Sequence, residues 1–237
     1  MDRLNLVSFI FLVVLFVLAP RAALRSARLL RELQTGGQPL PRRRMVLSTM
    51  FSLSVLWALS AINADAMGRG LFAVWRLGPR ELVAGVAGFA VLLAAIPLSR
   101  WGRTPEEERR LLVYGMAPRN AGEMALFSLV AVMAGVAEEA AYRGVAVWIL
   151  APLFGSVVPA ILLSAMAFAV AHAVQGGRAM GIVFAVALVF HAVVQLTGTL
   201  VIAMVVHTAY DIVAGYVAGR RARLLLADPP PGAAPAS

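Results

Sequence analysis

The chain has 237 residues, is 61% hydrophobic and carries 21 basic against 12 acidic residues, a net charge of +9. Soluble domains are nearer roughly 45–50% apolar, so the composition excludes an ordinary water-soluble enzyme and points to a membrane protein. No cysteine is present, which excludes a disulfide framework and a thiolate metal site, and the basic residues are all arginines placed mainly between apolar runs and near the C-terminal end, a pattern of topology control and not of nucleic-acid binding.

Leu4–Leu18 is the first apolar run, followed by Pro20. The small residues around Pro20 resemble a signal-peptide cleavage site, but the arginine cluster follows the run, which marks a retained span. Arg21–Arg44 carries seven arginines, Gly36-Gly37 and two prolines and reads as a basic loop. Met45–Ala64 has the length of a bilayer crossing. Asp65–Arg80 is a short loop ending in Gly78-Pro79, and Leu82–Leu98 is a third span whose glycines and alanines suit close helix packing. Ser99–Asn120 is polar. Within it, Thr104-Pro105-Glu106-Glu107 reads as the start of an interfacial helix, with Thr as N-cap, Pro at the first position and acids in the first turn.

Glu123–Leu150 is the longest run. At 1.5 Å per residue it would extend about 42 Å against a hydrocarbon core of about 30 Å, so it should tilt, bend or break, with Gly135 and Gly144 as the weak points. Val157–Val174, Ala179–Leu196 and Thr199–Ala218 follow, the last two joined by a turn at Thr197-Gly198. Arg220, Arg221 and Arg223 come next, then a Pro/Ala tail, Pro229–Ser237, of disordered composition. The pattern predicts an all-α polytopic membrane helix bundle of about seven to eight transmembrane helices around an inward-facing polar site. There are seven spans if the long run crosses once. Positive-inside counting then puts Arg21–Arg44, the Arg100–Arg119 loop, Arg178 and the C-terminal arginines all on the cytoplasmic side, whereas two crossings break that agreement. The chain divides into N-terminal spans and basic loops (1–121), a core of motif-bearing helices (122–219) and a basic, Pro/Ala-rich tail (220–237). No internal repeat is evident.

Within Met124–Phe154 the only charges are Glu138, Glu139 and Arg143. Each costs roughly 2.5–3.5 kcal/mol at the centre of a bilayer on insertion scales, so they require an explanation. On a helix Glu139 and Arg143 share a face and can pair, while Glu138 lies about 100° away, beside Tyr142. One carboxylate is then neutralised and the other stays available. The histidines are all in the second half: His172 after Phe168, His207 one turn before Asp211, and His191 in mid-run. Glu138, Glu139, His172, His207 and Asp211 make an inward-facing polar cluster on three helices. Such a cluster supports hydrolysis. A carboxylate shielded from bulk water can take a proton from a water molecule and return it, and histidines can orient that water and donate to an oxyanion. Glu138, His172 and His207 are also a plausible set for a divalent metal such as zinc, assembled across helices because no His-Glu-x-x-His spacing is present. Each residue has a plainer reading. Glu139–Arg143 reads as a structural clamp before a catalytic pair, His191 as a packing histidine hydrogen-bonded to a neighbour, and His207–Asp211 as interhelical glue. A proton-coupled transporter would use the same residue types, but no symmetric second half with matching broken helices is visible.

Glu138-Glu139-x-x-x-Arg143, Phe168-x-x-x-His172 and His207-x-x-x-Asp211, in that order on successive helices, resemble the three motifs of the CPBP (Abi) family, the type II CAAX-prenyl-protease and bacteriocin-processing membrane proteins. The resemblance covers about Glu123 to Gly219; the first hundred residues match only as generic spans. It implies an intramembrane endopeptidase, of metallo- or glutamic type, in which Glu138 and His172 activate water while His207 and Asp211 stabilise the oxyanion. Glu139, Arg143, Tyr142 and Phe168 then support the site. Asp211 stands where the family has Asn or Asp. An ionised aspartate would repel an oxyanion, so it is protonated, orients His207 or binds a metal. The resemblance also implies an alternative, a non-enzymatic membrane scaffold or bacteriocin-immunity protein. The expected partners are membrane lipid and a peptide or membrane-protein substrate, with no nucleic acid. The all-arginine, alanine-rich composition fits a high-GC bacterial genome, hence a multi-pass protein of a bacterial inner membrane.

Overall fold

The computed structural model describes residues 5–36, 42–72, 78–104, 107–108 and 117–227. All regular structure among them is helical. The first helix, α1, runs through Leu6–Val13, a π-helical stretch Val14–Leu18 and Ala19–Gly36. It is followed by α2 (Arg42–Ala66), α3 (Pro79–Leu98), α4 (Ala121–Glu138, π-helical Glu139–Val145 and Ala146–Phe154), α5 (Val157–Ala171), α6 (Gly177–Thr197) and α7 (Leu200–Ala227). A 3₁₀ turn, Ala173–Gln175, links α5 to α6. Six of these helices are long and apolar enough to cross a membrane, while α5, with 15 residues, falls short of that length. Large apolar side chains such as Phe51, Val83, Val86, Met166 and Val205 point outward, as a lipid-facing surface requires.

Two sequence expectations are corrected here. The basic segment after the first apolar run is not a loop from Arg21: helix α1 continues to Gly36. Pro20 lacks an N–H and leaves the carbonyl four residues earlier without its usual donor. The π-helical stretch directly before it, Val14–Leu18, absorbs that disruption without ending the helix. Beyond Pro20, Ala23, Ala27 and Leu30 turn inward at helical spacing while Arg21, Arg25, Arg28 and Arg31 stay exposed. This stripe seats the end of α1 against α5 and the 3₁₀ turn. The second correction concerns α4. It stays α-helical through Gly135. Gly135 instead lets α7 approach closely, since a Cβ there would strike Thr208 and the Met204 carbonyl. The departure from α geometry is the π turn, which contains Gly144.

Gly85 and Gly88 on α3 do what its composition promised, facing Ile202 and Val206 of α7 and Val193 of α6. The turn between α6 and α7 places Gly198 in the left-handed region, φ 68°, which a glycine adopts without strain. Thr104 and Glu107 make the reciprocal hydrogen bonds of a capping box. Most of the helix expected after them, and the Pro229–Ser237 tail, lie outside the described residues.

The arginine-bearing segments meet at one end of the bundle. Arg42 donates to the Ala117 carbonyl and to Glu123, Arg221 and Arg100 both reach Glu108, and Arg178 lies beside Gly102. Ion pairs at a surface are worth only about 0–1 kcal/mol, so they mark where the segments lie more than they hold the fold. Arg69 sits over Trp148 at the opposite end. One crossing by α4 fits this arrangement. The main core surrounds the π turn: Ala140, Ala141, Tyr142, Val145 and Ala146 pack against Phe11 and Leu15 of α1, Ala165 and Phe168 of α5, and Leu200 and Met204 of α7.

Candidate active site

The π turn of α4 carries the acidic pair into this core. A π turn loosens the ordinary i to i−4 ladder, so carbonyls along it need other donors. Ser164 of α5 supplies one, its hydroxyl donating to the Tyr142 carbonyl at 2.6 Å. Glu139 and Arg143 are completely buried, with the guanidinium Nη1 3.1 Å from Glu139 Oε1. The faces of the guanidinium are covered by aromatic rings: its carbon lies 4.3 Å from the Phe168 centroid and 5.0 Å from that of Phe190. Cation–π contact offsets part of the desolvation of a charge this deep. Tyr142 closes the set from another side, edge-on to Phe168 with centroids 5.0 Å apart.

His207 of α7 joins the acidic pair. Its Nδ1 lies 2.8 Å from the same Glu139 oxygen that faces Arg143. With Nδ1–H donating to Glu139, the ring orientation is fixed and Nε2 is turned to the other side. There it faces Glu138 Oε2 at 3.7 Å and Asp211 Oδ2 at 3.6 Å, both beyond hydrogen-bond length. Phe190 of α6 stacks on the His207 ring at 4.7 Å, so the imidazole has one aromatic face covered. Glu138 and Asp211 keep 17% and 29% of their side-chain surface, in contrast to Glu139 and Arg143 at 0%.

His172 caps the short helix α5. Its Nδ1 is hydrogen-bonded to the Phe168 carbonyl at 2.8 Å, one turn back, which leaves Nε2 as the outward nitrogen. Its ring lies 4.5 Å from Phe168, and the His207 ring 6.3 Å from the same phenyl group. Asp211 is within electrostatic reach of both histidines and of Glu138. Glu138, His172, His207 and Asp211, named from sequence on three separate helices, therefore surround one locality, with Glu139, Arg143, Tyr142 and Phe168 behind them.

Among the described residues no group of three or more His, Asp or Glu side chains is placed to hold a metal ion. Both Nδ1 atoms are committed elsewhere, His172 to a backbone carbonyl and His207 to Glu139. The expectation for His191 changes. It is buried, but neither ring nitrogen has a hydrogen-bond partner among the described residues. Three contributors escaped the sequence reading. Ser164 was a polar residue in an apolar run and could have been singled out. Phe190 had no signal beyond its neighbour. The Glu139–His207 contact joins residues 68 apart and has no local signature.

A comparison with protein-family models gives one finding: residues 120–213 match the type II CAAX prenyl endopeptidase Rce1-like model. The matched segment contains all three motifs and is consistent with the CPBP resemblance. Together with the six apolar helices it supports a membrane protein and a protease. No curated protein and no solved structure matches the chain.

Proposed function

We propose, from the Rce1-like match over residues 120–213 as premise, that this chain is an intramembrane endopeptidase that hydrolyses a peptide bond with a water activated by Glu138 and His172. The observation that carries the reading is the two-sided environment of His207: anchored at Nδ1 by a buried, arginine-paired Glu139, open at Nε2 towards the partly exposed Glu138 and Asp211. Glu138 is the carboxylate left without a guanidinium. It takes a proton from water held between it and the outward Nε2 of His172 while the hydroxide attacks the carbonyl carbon, and it returns that proton to the leaving amine. When His207 carries both protons, Nδ1–H stays on Glu139 and Nε2–H donates to the carbonyl oxygen as negative charge develops there. Asp211, beside the same Nε2 edge, keeps the ring in place.

The substrate class is a peptide or membrane-protein segment, and the setting is a bacterial inner membrane with the arginine-rich end in the cytoplasm. The test is cleavage by the purified full chain in liposomes, against a peptide library that includes a prenylated C-terminal CAAX tail, read by mass spectrometry in ¹⁸O-water. The parent is expected to yield products labelled at the new carboxylate, and correctly folded Glu138→Gln and His172→Ala proteins to yield none above background. Equal cleavage by parent and variants would sink the hydrolase reading. If instead the Glu138→Gln protein rescued a deletion phenotype in full, the scaffold or immunity role would take its place.

A further inference from the structure

Behind His207, on the side away from Glu138, three side chains carry buried polar atoms without a hydrogen-bond partner among the described residues. They are Glu139 and Arg143 of the π turn and His191 of α6, all buried, with His191 2% exposed. Glu139 Oε2, the three Arg143 nitrogens and both His191 ring nitrogens make no hydrogen bond among the described residues. Phe168 and Phe190 lie over the guanidinium, and its Nη1 is 3.1 Å from Glu139 Oε1 without the geometry of a hydrogen bond. The three residues belong to one region. His191 follows Phe190, whose ring lies by the Arg143 guanidinium, and α6 packs against the π turn.

We propose that Glu139, Arg143 and His191 enclose a buried water site at the level of the π turn. The donor and acceptor inventory selects the occupant. Arginine offers only donors, an ionised glutamate only acceptors, and a neutral histidine one of each. Whatever lies between them must both donate and accept. An anion would be repelled by Glu139 and a cation by Arg143, so a neutral molecule of water size fits. Groups left open at this depth have no bulk solvent to turn to, which is why buried polar atoms in proteins are so regularly matched by protein or by ordered water. The water accepts from Arg143, donates to Glu139 Oε2 and exchanges a bond with His191. It thereby holds the carboxylate that receives Nδ1–H of His207. The site goes beyond the hydrolase reading and stands without it, because nothing in its geometry involves a substrate.

Two measurements on the purified full chain in lipid nanodiscs test it. X-ray radiolytic labelling oxidises side chains that touch bound water. His191, corrected for intrinsic reactivity, is expected to label several-fold faster than Phe11, a side chain of similar burial in the apolar core. Labelling at the Phe11 rate would overturn the proposal. In thermal unfolding, His191→Leu is expected to lower the melting temperature by several degrees, and His191→Gln, which keeps a donor and an acceptor, to recover most of that loss. A Leu variant as stable as the parent would show a dry pocket and overturn the proposal, as would Leu and Gln variants destabilised alike, which would show a demand for shape alone.

Discussion

The Nδ1 edge of His207 faces Glu139, which has no exposed surface, and its Nε2 edge faces Glu138 and Asp211, which do. Glu138 and Glu139 are adjacent in the chain and identical in chemistry. Their difference arises from rotation: about 100° around a helix axis sends one carboxylate towards the π-turn arginine and the other towards the rim of the cluster. The buried side is held by an ion pair, two phenyl faces and a π turn closed by Ser164. The wet side has looser spacing, with separations of 3.6 and 3.7 Å in place of hydrogen bonds. Rigidity sits on one edge of the imidazole and chemical freedom on the other, so changes on the two sides should be read out by different measurements.

The sharpest division would come from Glu138→Gln. On the wet side it should reduce peptide cleavage by about 10²–10⁴-fold, the usual worth of a general base, with the melting temperature near that of the parent. A large loss of stability with it would break the comparison. Arg143→Met tests the buried side. It strands Glu139 as an uncompensated buried charge and should cost about 3–5 kcal/mol of stability, read as a lowered unfolding temperature or failure to accumulate. Pairing it with Glu139→Gln should restore much of that loss, because the stranded charge is removed with its partner. Ser164→Ala should cost about 1–3 kcal/mol, the range for leaving one buried acceptor unmatched, with a normal KM in the protein that folds. The smallest effect belongs to Asp211→Asn. It keeps size and polarity at a position outside hydrogen-bond range of His207, so cleavage should change by less than about tenfold. A collapse of activity there would place Asp211 in the chemistry and not beside it.

Much of this arrangement was legible in the sequence, for identifiable reasons. Runs of about 20 apolar residues announce spans because bilayer thickness fixes helix length. The pairing of Glu139 with Arg143 and the proximity of His207 to Asp211 follow from helical spacing. What stayed hidden was whatever depends on departures from regular winding or on contacts between helices. The passage of α1 through Pro20 could not be read, because the same residue ends helices elsewhere. The arginines from Arg21 to Arg31 suggested a loop, since charge drew the eye away from the inward stripe of Ala23, Ala27 and Leu30. The π turn has no compositional mark, and Gly135 served a close helix crossing where a bend was expected. The anchoring of His207 by Glu139 needed the third dimension.

One dimension of the fold carries a consequence for the surroundings. At 1.5 Å per residue α5 spans about 22 Å, and its outward side chains, among them Leu162, Leu163 and Met166, face the acyl chains directly. A bilayer of average thickness overhangs such a helix, so the leaflet beside it must pinch or its chains must splay. His172 terminates α5, so any thinning of the membrane beside this helix would lie close to the candidate site. Acyl-chain length thus becomes a property of this protein's working environment as much as temperature or pH.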